Sequence, residues 1–475
     1  MTMSARLAAS IAAAFASPAA AQLADPWAIM TGRDLQAIHD TLLANHPGPV
    51  DPQNPGYRTW LGDGYRLAQA RAASARSFTD YDHTLRLYVN GFRDGHAMLV
   101  FRMEPTRLAW PGFLVRRAEG DDKVRVAVAV EGSGVAEGAE LVACDGQTPA
   151  QMLADRVDPY YWNADIPHER WANLPQLFVQ FRNESHAKAC TFRDSASERS
   201  IDLNWQIAPR QQVLDQIAAL NPHDTIGLRK RGAIWFVTIP SFDLFGPAAD
   251  PMRALIAEIK AKAPELRQAT VVFDVRGNRG GNSQWADEIA AAFWGEPLVN
   301  HVLSSFDGTV DWRASEANIV HAKASAEQAK RDGQPAVEKY RSEAAALMTK
   351  ALAAGRPLAR SSDQVPATGQ APANPVTGKV YFLTDTACFS SCLQFADTLK
   401  RLPGVRHIGL PTDGDTVYLD NNQIDLPSGL GAFSYSMKVY RHKARKNNEW
   451  YEPDIRWPGG PMTDEAVIKW IVGLK

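Results

Sequence analysis

Apolar residues in the first part of the chain recur at helical spacing. One apolar helix face consists of Leu35, Ile38, Leu42 and Leu43, at positions i, i+3, i+7 and i+8. A second helical pattern covers residues 80–91 and leads to an Asp-Gly turn at residues 94–95, beyond which alternating positions indicate a strand. We therefore predict an N-terminal helical domain over residues 22–109.

The next segment, residues 110–225, changes to the period of two that is typical of strands. Its clearest strand alternates Val124, Val126, Val128 and Val130 with other residues. Residues 138–143 form a second strand pattern, and the Asp-Gly pair that follows favours a hairpin turn. The segment is predicted to be a small β-rich module.

From residue 226 onward, strand and helix patterns alternate. The strand patterns cover residues 233–239, 270–275 and 379–383, and the helical patterns cover residues 252–262, 285–293 and 393–401. Such alternation is typical of a mixed α/β core, which we place at residues 226–475. Residues 314–355, rich in Ala, Glu, Lys and Arg, interrupt it as a helical insertion. We interpret the insertion as a solvated helical excursion, with a lid or a partner surface as the alternative.

Composition excludes several classes of function. The chain has 475 residues, too many for one hydrophobic core, and its 45% hydrophobic and 22% charged residues are typical of a globular protein. A formal net charge of −2 provides no electrostatic basis for binding nucleic acid or an anionic membrane. No run beyond residue 21 approaches the roughly 20 apolar residues that a membrane span requires.

Residues 1–21 have the pattern of a secretory signal peptide. Arg6 precedes an apolar run at residues 7–16, and three small residues lead up to a cleavage site after Ala21. We expect cleavage there and a mature protein that is periplasmic or secreted. The alternative is a short buried N-terminal helix.

Cysteine usage bears on the compartment and on metal binding. The four cysteines are Cys144, Cys190, Cys388 and Cys392, which export would place in an oxidising compartment. Four cysteines allow three pairings, and the sequence does not choose among them. Either Cys388 and Cys392 form a local bridge, or they are two small buried thiols. No CxxC or His/Cys spacing indicates zinc, and we expect neither a metal nor an organic cofactor.

Three segments carry residues suited to nucleophilic catalysis. Residues 276–282 form a loop with three glycines after a strand pattern, and its N–H groups can stabilise a phosphate or an oxyanion, although it lacks the ending of a nucleotide P-loop. A second strand pattern leads to Ser390 at a helix start, where an N-cap is the alternative role. His96 follows the Asp-Gly turn, and histidine suits proton transfer near neutral pH.

Together these segments resemble the tail-specific, or C-terminal-processing, serine peptidases, in particular the branch with the tricorn protease core and the interphotoreceptor retinoid-binding repeats. Residues 273–281 resemble the family's glycine-loop segment, and residues 390–396 resemble its nucleophile segment. Three further similar segments are residues 94–96, 407–412 and 452–455. The resemblance implies a mixed-sheet catalytic core of the crotonase-like ββα kind and a PDZ-like character for the β-rich module.

The resemblance also implies roles for individual residues. Ser390 would be the nucleophile, with Ser391 as its alternative, and His96 the general base. The backbone N–H groups of Gly280 and Ser391 would form the oxyanion hole. Glu452 is the expected acidic partner, with Glu449 as the alternative.

The chain departs from the family pattern where a catalytic lysine is expected. Family members with a Ser–Lys dyad carry the lysine shortly after the threonine matched by Thr412, but residues 413–415 read Asp-Gly-Asp and the first lysine is Lys438. This departure leads us to expect a His-assisted enzyme that does not use a Ser–Lys dyad.

These features predict an exported serine peptidase that hydrolyses peptides or unfolded protein segments through an acyl-enzyme. The expected partner is a peptide or protein substrate, with no nucleic acid and no membrane span. Two alternatives use the same fold: an esterase acting on small molecules, and a ligand- or peptide-binding protein that has lost catalysis.

Overall fold

The computed structural model describes residues 25–102, 105–117, 123–179, 186–195, 197–220, 223–362, 366, 369–441 and 444–474. The predicted signal peptide lies outside the described residues. The helices are α1 (Pro26–Asn45), α2 (Pro55–Ala72), α3 (Phe78–Asn90), α4 (Pro149–Arg156), α5 (Asp158–Tyr161), α6 (Arg210–Ala218), α7 (Asp250–Leu266), α8 (Gln284–Trp294), α9 (Glu296–Leu303), α10 (Glu316–Arg331), α11 (Pro335–Ala353), α12 (Ser391–Leu399) and α13 (Asp464–Val472).

The strands are β1 (Met98–Phe101), β2 (Arg107–Trp110), β3 (Phe113–Arg117), β4 (Val124–Ala129), β5 (Glu140–Cys144), β6 (Ala189–Arg193), β7 (Glu198–Asp202), β8 (Gln206–Pro209), β9 (Gly227–Arg231), β10 (Ile234–Thr238), β11 (Thr270–Asp274), β12 (Thr309–Arg313), β13 (Leu358–Ser362), β14 (Val380–Thr384), β15 (Val405–Gly409), β16 (Tyr418–Asp425), β17 (Gly431–Tyr440) and β18 (Ile455–Arg456). The predicted mixed α/β class with N-terminal helices and several sheets is confirmed. In the part of the chain that the structure describes, no helix is both long and apolar enough to cross a membrane.

The N-terminal helices share their core with distant strands. Helices α1 to α3 pack against an antiparallel sheet of order β1-β17-β12-β13, in which β16 also pairs with β17. The insertion forms two helices, α10 and α11, and these contribute Ala322, Ala345 and Met348 to the same core. One face of the insertion is therefore packed against this core, so the interpretation of the insertion as a solvated helical excursion does not hold for that face.

The β-rich module has its own core. Strands β3 to β7 form an antiparallel sheet in sequence order, and a disulfide joins Cys144 on β5 to Cys190 on the neighbouring β6. A ribbon of β2 and β8 lies beside it. The PDZ-like assignment of this module stays a prediction.

A six-stranded sheet of order β18-β15-β14-β11-β10-β9 organises the α/β core. All its strands are parallel except β9, which is antiparallel to β10. Apolar residues alternate between the two faces: Trp235 and Val237 face the core that includes α7, α8 and α12, whereas Ile234 and Phe236 face the core that includes α13. Because parallel strands bring their carboxyl ends to one edge, the loops after β10, β11, β14 and β15 meet there.

Candidate active site

Ser390 lies at this carboxyl edge, between β14 and α12. Its backbone has φ +55° and ψ −118°, a conformation that costs a non-glycine residue about 1–3 kcal/mol and occurs preferentially at functional sites. A disulfide between Cys388 and Cys392 brackets the serine. The residue immediately precedes the first turn of α12, where the helix dipole favours negative charge.

The imidazole of His96 contacts the Ser390 hydroxyl. His96 Nε2 lies 3.2 Å from Ser390 Oγ, and in the described part of the chain it is the one side-chain partner of that hydroxyl. The imidazole ring packs beside Phe389, with ring centroids 5.2 Å apart. Two segments separated by 294 residues thus bring together the two side chains that the sequence singled out.

Asp415 faces the other nitrogen of this imidazole. Its Oδ1 lies 3.4 Å from His96 Nδ1, and its side chain is only 1% exposed. A buried carboxylate in that position can orient the ring and stabilise its protonated form. Sequence reasoning missed Asp415, although it lies in the Asp-Gly-Asp run after Thr412, which was considered only for its lack of a lysine.

The side chains of the two glutamates expected as acidic partners make other contacts. Glu452 is 57% exposed, accepts a hydrogen bond from Trp450 Nε1 at 3.0 Å, and pairs with Arg456 at 3.2 Å. Glu449 accepts a hydrogen bond from the backbone N–H of Lys446 at 2.6 Å. Asp415, and neither glutamate, occupies the position beside His96 Nδ1.

The N-terminal helices hold the turn that presents His96. Asp94 accepts the backbone N–H of His96 at 2.9 Å through one oxygen, and its other oxygen lies 3.1 Å from His46 Nε2. Because His46 Nδ1 accepts the N–H of Gly48 at 2.9 Å, the proton of the neutral ring is on Nε2, which donates to Asp94. The His46 ring stacks on Tyr57, with centroids 4.7 Å apart. His46 is a further residue that the sequence did not indicate.

The residues of the glycine-loop motif fix its shape. The guanidinium of Arg276 donates to Asp274 at 2.9 Å and to Asp464 at 2.6 Å, which ties the end of β11 to α13. The amide of Asn278 donates to the carbonyl of Ile239 at 2.9 Å, which ties the loop to the end of β10. These motif residues therefore build the loop and do not point at the nucleophile.

The loop contacts the nucleophile segment directly. Gly280 packs so closely on it that a Cβ at this position would lie 2.8 Å from Ser390 Cβ. However, the N–H of Gly280 already donates to Asn278 Oδ1 at 2.9 Å. Among the described residues, the N–H groups of Gly281 and Ser391 have no acceptor. Within the glycine loop it is therefore the N–H of Gly281, and not that of Gly280, that is available to an oxyanion. The sequence did not indicate Gly281.

Ser391 is engaged in holding the loop. Its hydroxyl donates to the carbonyl of Gly281 at 2.6 Å, and the residue is 5% exposed. Ser390 is half-buried and contacts an imidazole. The contacts of Ser391 are those of a structural serine.

The β-rich module contacts the loop that carries Asp415. His168 Nε2 donates to the carbonyl of Thr412 at 2.8 Å. Burial raises the pKa of Glu169, and burial together with the Glu169 charge raises that of Asp413 well above its ordinary value. Two such carboxyl groups cannot both ionise at low cost. The Glu169–Asp413 pair therefore carries less negative charge than two ionised carboxylates would.

Comparisons with known proteins identify the class. Residues 233–457 match the model described as Peptidase family S41. The predicted resemblance to tail-specific serine peptidases is confirmed. No curated protein matches the chain.

Solved structures support the fold. Mature CPAF has a TM-score of 0.63 and 16% identity, covering 90% of this chain and 92% of that chain. Mature CPAF complexed with lactacystin has a TM-score of 0.63 and 16% identity, covering 90% of this chain and 94% of that chain. The tricorn protease gives a TM-score of 0.39 and 12% identity, covering 90% of this chain and 34% of that chain. At these identities, the likeness to CPAF shows a shared fold.

The match to Peptidase family S41 corrects one prediction. Family S41 uses a Ser–Lys dyad, so the expectation of a His-assisted enzyme outside the dyad class is wrong. That expectation rested on the sequence distance between Thr412 and Lys438, and folding can bring a lysine to a serine across any such distance. In this structure, Lys438 lies on β17, where its Nζ pairs with Asp420 at 2.9 Å.

Proposed function

We propose that this S41 protein is an exported serine peptidase that hydrolyses peptides or unfolded protein segments through an acyl-enzyme on Ser390. The observation that carries the proposal is the geometry of Ser390: a positive φ, a helix N-terminus and the His96 imidazole 3.2 Å from its hydroxyl. Serines in ordinary N-cap positions have extended backbones and bond to their own helix, and Ser390 does neither.

In the proposed reaction, Ser390 Oγ attacks the carbonyl carbon of the scissile bond and loses its proton to a base. The proton then passes to the leaving amine as the C–N bond breaks, and water hydrolyses the resulting ester. His96, in contact with Oγ, is proposed to hold the hydroxyl in position for attack, and Asp415 to orient the His96 ring. We expect His96→Ala to lower kcat/KM by about 100-fold through loss of this positioning.

The proposed oxyanion hole uses the N–H groups of Gly281 and Ser391. The carbonyl of Gly280 accepts from the N–H of Phe242 at 3.0 Å, so it points toward the loop after β10. Because the N–H of a trans peptide points opposite to its C=O, the N–H of Gly281 faces the other neighbour, the loop that carries Ser390. Two such donors typically stabilise an oxyanion by several kcal/mol.

Export remains part of the proposal. The two disulfides, Cys144–Cys190 and Cys388–Cys392, support it, because such bridges persist in oxidising compartments and are rare in the cytosol. A periplasmic or secreted location would be checked by fractionating cells and sequencing the mature N-terminus. Cytosolic protein that retains residues 1–21 would contradict it.

The decisive test is the intact mass after exposure to a fluorophosphonate, which labels activated serines. We expect one adduct on the wild-type protein and on Ser391→Ala, and none on Ser390→Ala. An adduct that persists in Ser390→Ala would overturn the assignment of the nucleophile. A wild-type protein that takes up no label would overturn the proposed function. Turnover of matched peptide and ester substrates distinguishes a peptidase from an esterase.

A further inference from the structure

A cavity of about 300 Å³ opens beside the glycine loop. Its apolar walls are formed by Ile226, Pro240, Leu244, Ala248 and Pro251. The volume is at the lower end of the range for small-molecule and side-chain binding pockets. None of the residues assigned above to the nucleophile, the imidazole pair or the oxyanion hole lines it.

The cavity lies at the same edge of the sheet as Ser390. Pro240 and Leu244 follow the carboxyl end of β10, and Ile226 precedes β9, whose amino end lies at that edge because β9 is antiparallel to β10. The wall residue His223 borders the glycine loop, since a Cβ on Gly277 would lie 2.7 Å from its Nε2. The nucleophile loop, the glycine loop and the cavity are therefore neighbours in that order.

The strand order sets the distance between the cavity and the nucleophile. Along the sheet, β14 carries Ser390, β11 carries the glycine loop, and β10 and β9 carry the cavity. Neighbouring strands are about 4.8 Å apart, so the cavity lies roughly 10–14 Å from Ser390. An extended peptide advances about 3.3 Å per residue, and three or four residues cover this distance.

The carboxylate in the cavity wall is already paired. Asp224, which contributes to the wall, pairs with Arg231 at 2.8 Å and with Arg229 at 3.9 Å. The apolar surface also extends beyond the cavity, because the adjacent Phe245 is 62% exposed. An uncharged, apolar group fits this lining better than a charged one, which would be desolvated without a counter-charge.

We propose that this cavity binds an apolar side chain of the substrate, three or four residues from the scissile bond. The inference rests on the proposed peptidase function and adds to it a specificity determinant remote from the bond that is cleaved. Binding energy from such a remote contact lowers KM for peptides that are long enough to reach the cavity.

The test uses synthetic ten-residue peptides that carry Leu or Ser at the third and fourth positions on either side of the cleaved bond, which mass spectrometry locates. For the wild type, we expect Leu to raise kcat/KM at least tenfold over Ser at one of these positions. Ala248→Trp, which fills the cavity, should abolish this preference through KM and leave the rate of fluorophosphonate labelling unchanged. Ala324→Trp, on an exposed face of α10, should keep it.

Two outcomes would overturn the inference: no preference at any of the four positions, or a preference that survives in Ala248→Trp. Fluorescence anisotropy of the same peptides, carrying a fluorophore, measures their binding to Ser390→Ala. This measurement separates failure of the cavity proposal from failure of the proposed peptidase function. A protein that binds Leu peptides at the cavity but is never labelled at Ser390 would refute the peptidase and support the cavity. An enzyme that is labelled at Ser390 but shows no preference for Leu would support the activated serine and refute the cavity proposal.

Discussion

The close approach of Gly280 to the nucleophile predicts the effect of one added methyl group. In Gly280→Ala, the new Cβ would lie 2.8 Å from Phe389 O, 2.8 Å from Ser390 Cβ and 3.0 Å from Ser391 N. Non-bonded carbon atoms are normally about 3.5–4.0 Å apart, so the glycine loop and the nucleophile segment must separate by roughly 0.7 Å or more. All three contacts are to the segment that carries the Ser390 hydroxyl.

The expected loss of activity follows from this displacement. A misplacement of about 1 Å at a catalytic site can cost about 100-fold in rate, which corresponds to about 2.7 kcal/mol in the activation free energy. A positive φ of 93° adds a separate cost to stability, about 1–2 kcal/mol for any residue with a Cβ. We therefore expect kcat/KM to fall about 100-fold while the protein stays folded.

Gly404→Ala is the matched control. Gly404 has φ +81°, and nothing lies within 4 Å of a Cβ at that position, so this variant has the conformational cost without the clash. Urea unfolding should show similar losses of stability for the two variants. Peptide hydrolysis and the rate of fluorophosphonate labelling should fall only in Gly280→Ala. A Gly280→Ala protein labelled within threefold of the wild-type rate would refute the proposed arrangement of the site.

Three further predictions concern groups outside the glycine loop. Asp420→Asn removes the carboxylate that pairs with Lys438, which is 4% exposed, and with Arg341, so we expect urea unfolding to show a loss of about 3–5 kcal/mol, against almost none for the exposed control Asp425→Asn. Burial, with a smaller contribution from a nearby lysine, lowers the pKa of His407 from 6.5 to about 4. The unfolded chain therefore binds this proton first, and up to about 3 kcal/mol of stability is lost as the pH falls from 6.5 to 4. His407→Asn should lose less than the wild type over that range, and equal losses would contradict the reasoning. His46→Ala should lower kcat with little change in KM, because it frees the turn that presents the His96 imidazole. His46→Asn should restore part of the activity if the hydrogen bond to that turn is what matters. A change in KM alone would argue against a positioning role for His46.

Local patterns predicted the elements well because they depend on near neighbours along the chain. The predicted apolar face lies on α1, where Leu35, Ile38 and Leu42 are buried, whereas the fourth residue, Leu43, is 50% exposed. The strand patterns at residues 270–275 and 379–383 correspond to β11 and β14, the strands that lead to the glycine loop and the nucleophile. Glycine-loop and serine motifs were recognisable because their chemistry is contained in short segments.

Long-range contacts were not predictable in the same way. The hydrophobic pattern shows that α1 to α3 have a buried face, but not that this face packs on β12 and β17, which follow more than 200 residues later. Asp415 and His46 carry no motif of their own, and their roles arise from positions beside His96 and Asp94 in space. The choice of Glu452 relied on the resemblance of residues 452–455 to a family segment, which does not determine which carboxylate faces an imidazole.

The amino-acid sequence by itself determined the α/β class, the order of the elements and the segments that contain Ser390 and the glycine loop. It did so because apolar periodicity and turn residues act over a few neighbouring positions. Only the tertiary structure decided that Asp415 faces His96, that the N–H of Gly280 is already bonded, and that a cavity lies two to three strands from the strand that leads to Ser390. These features depend on which segments meet when the chain packs, and that is set by burial of apolar surface across the whole molecule.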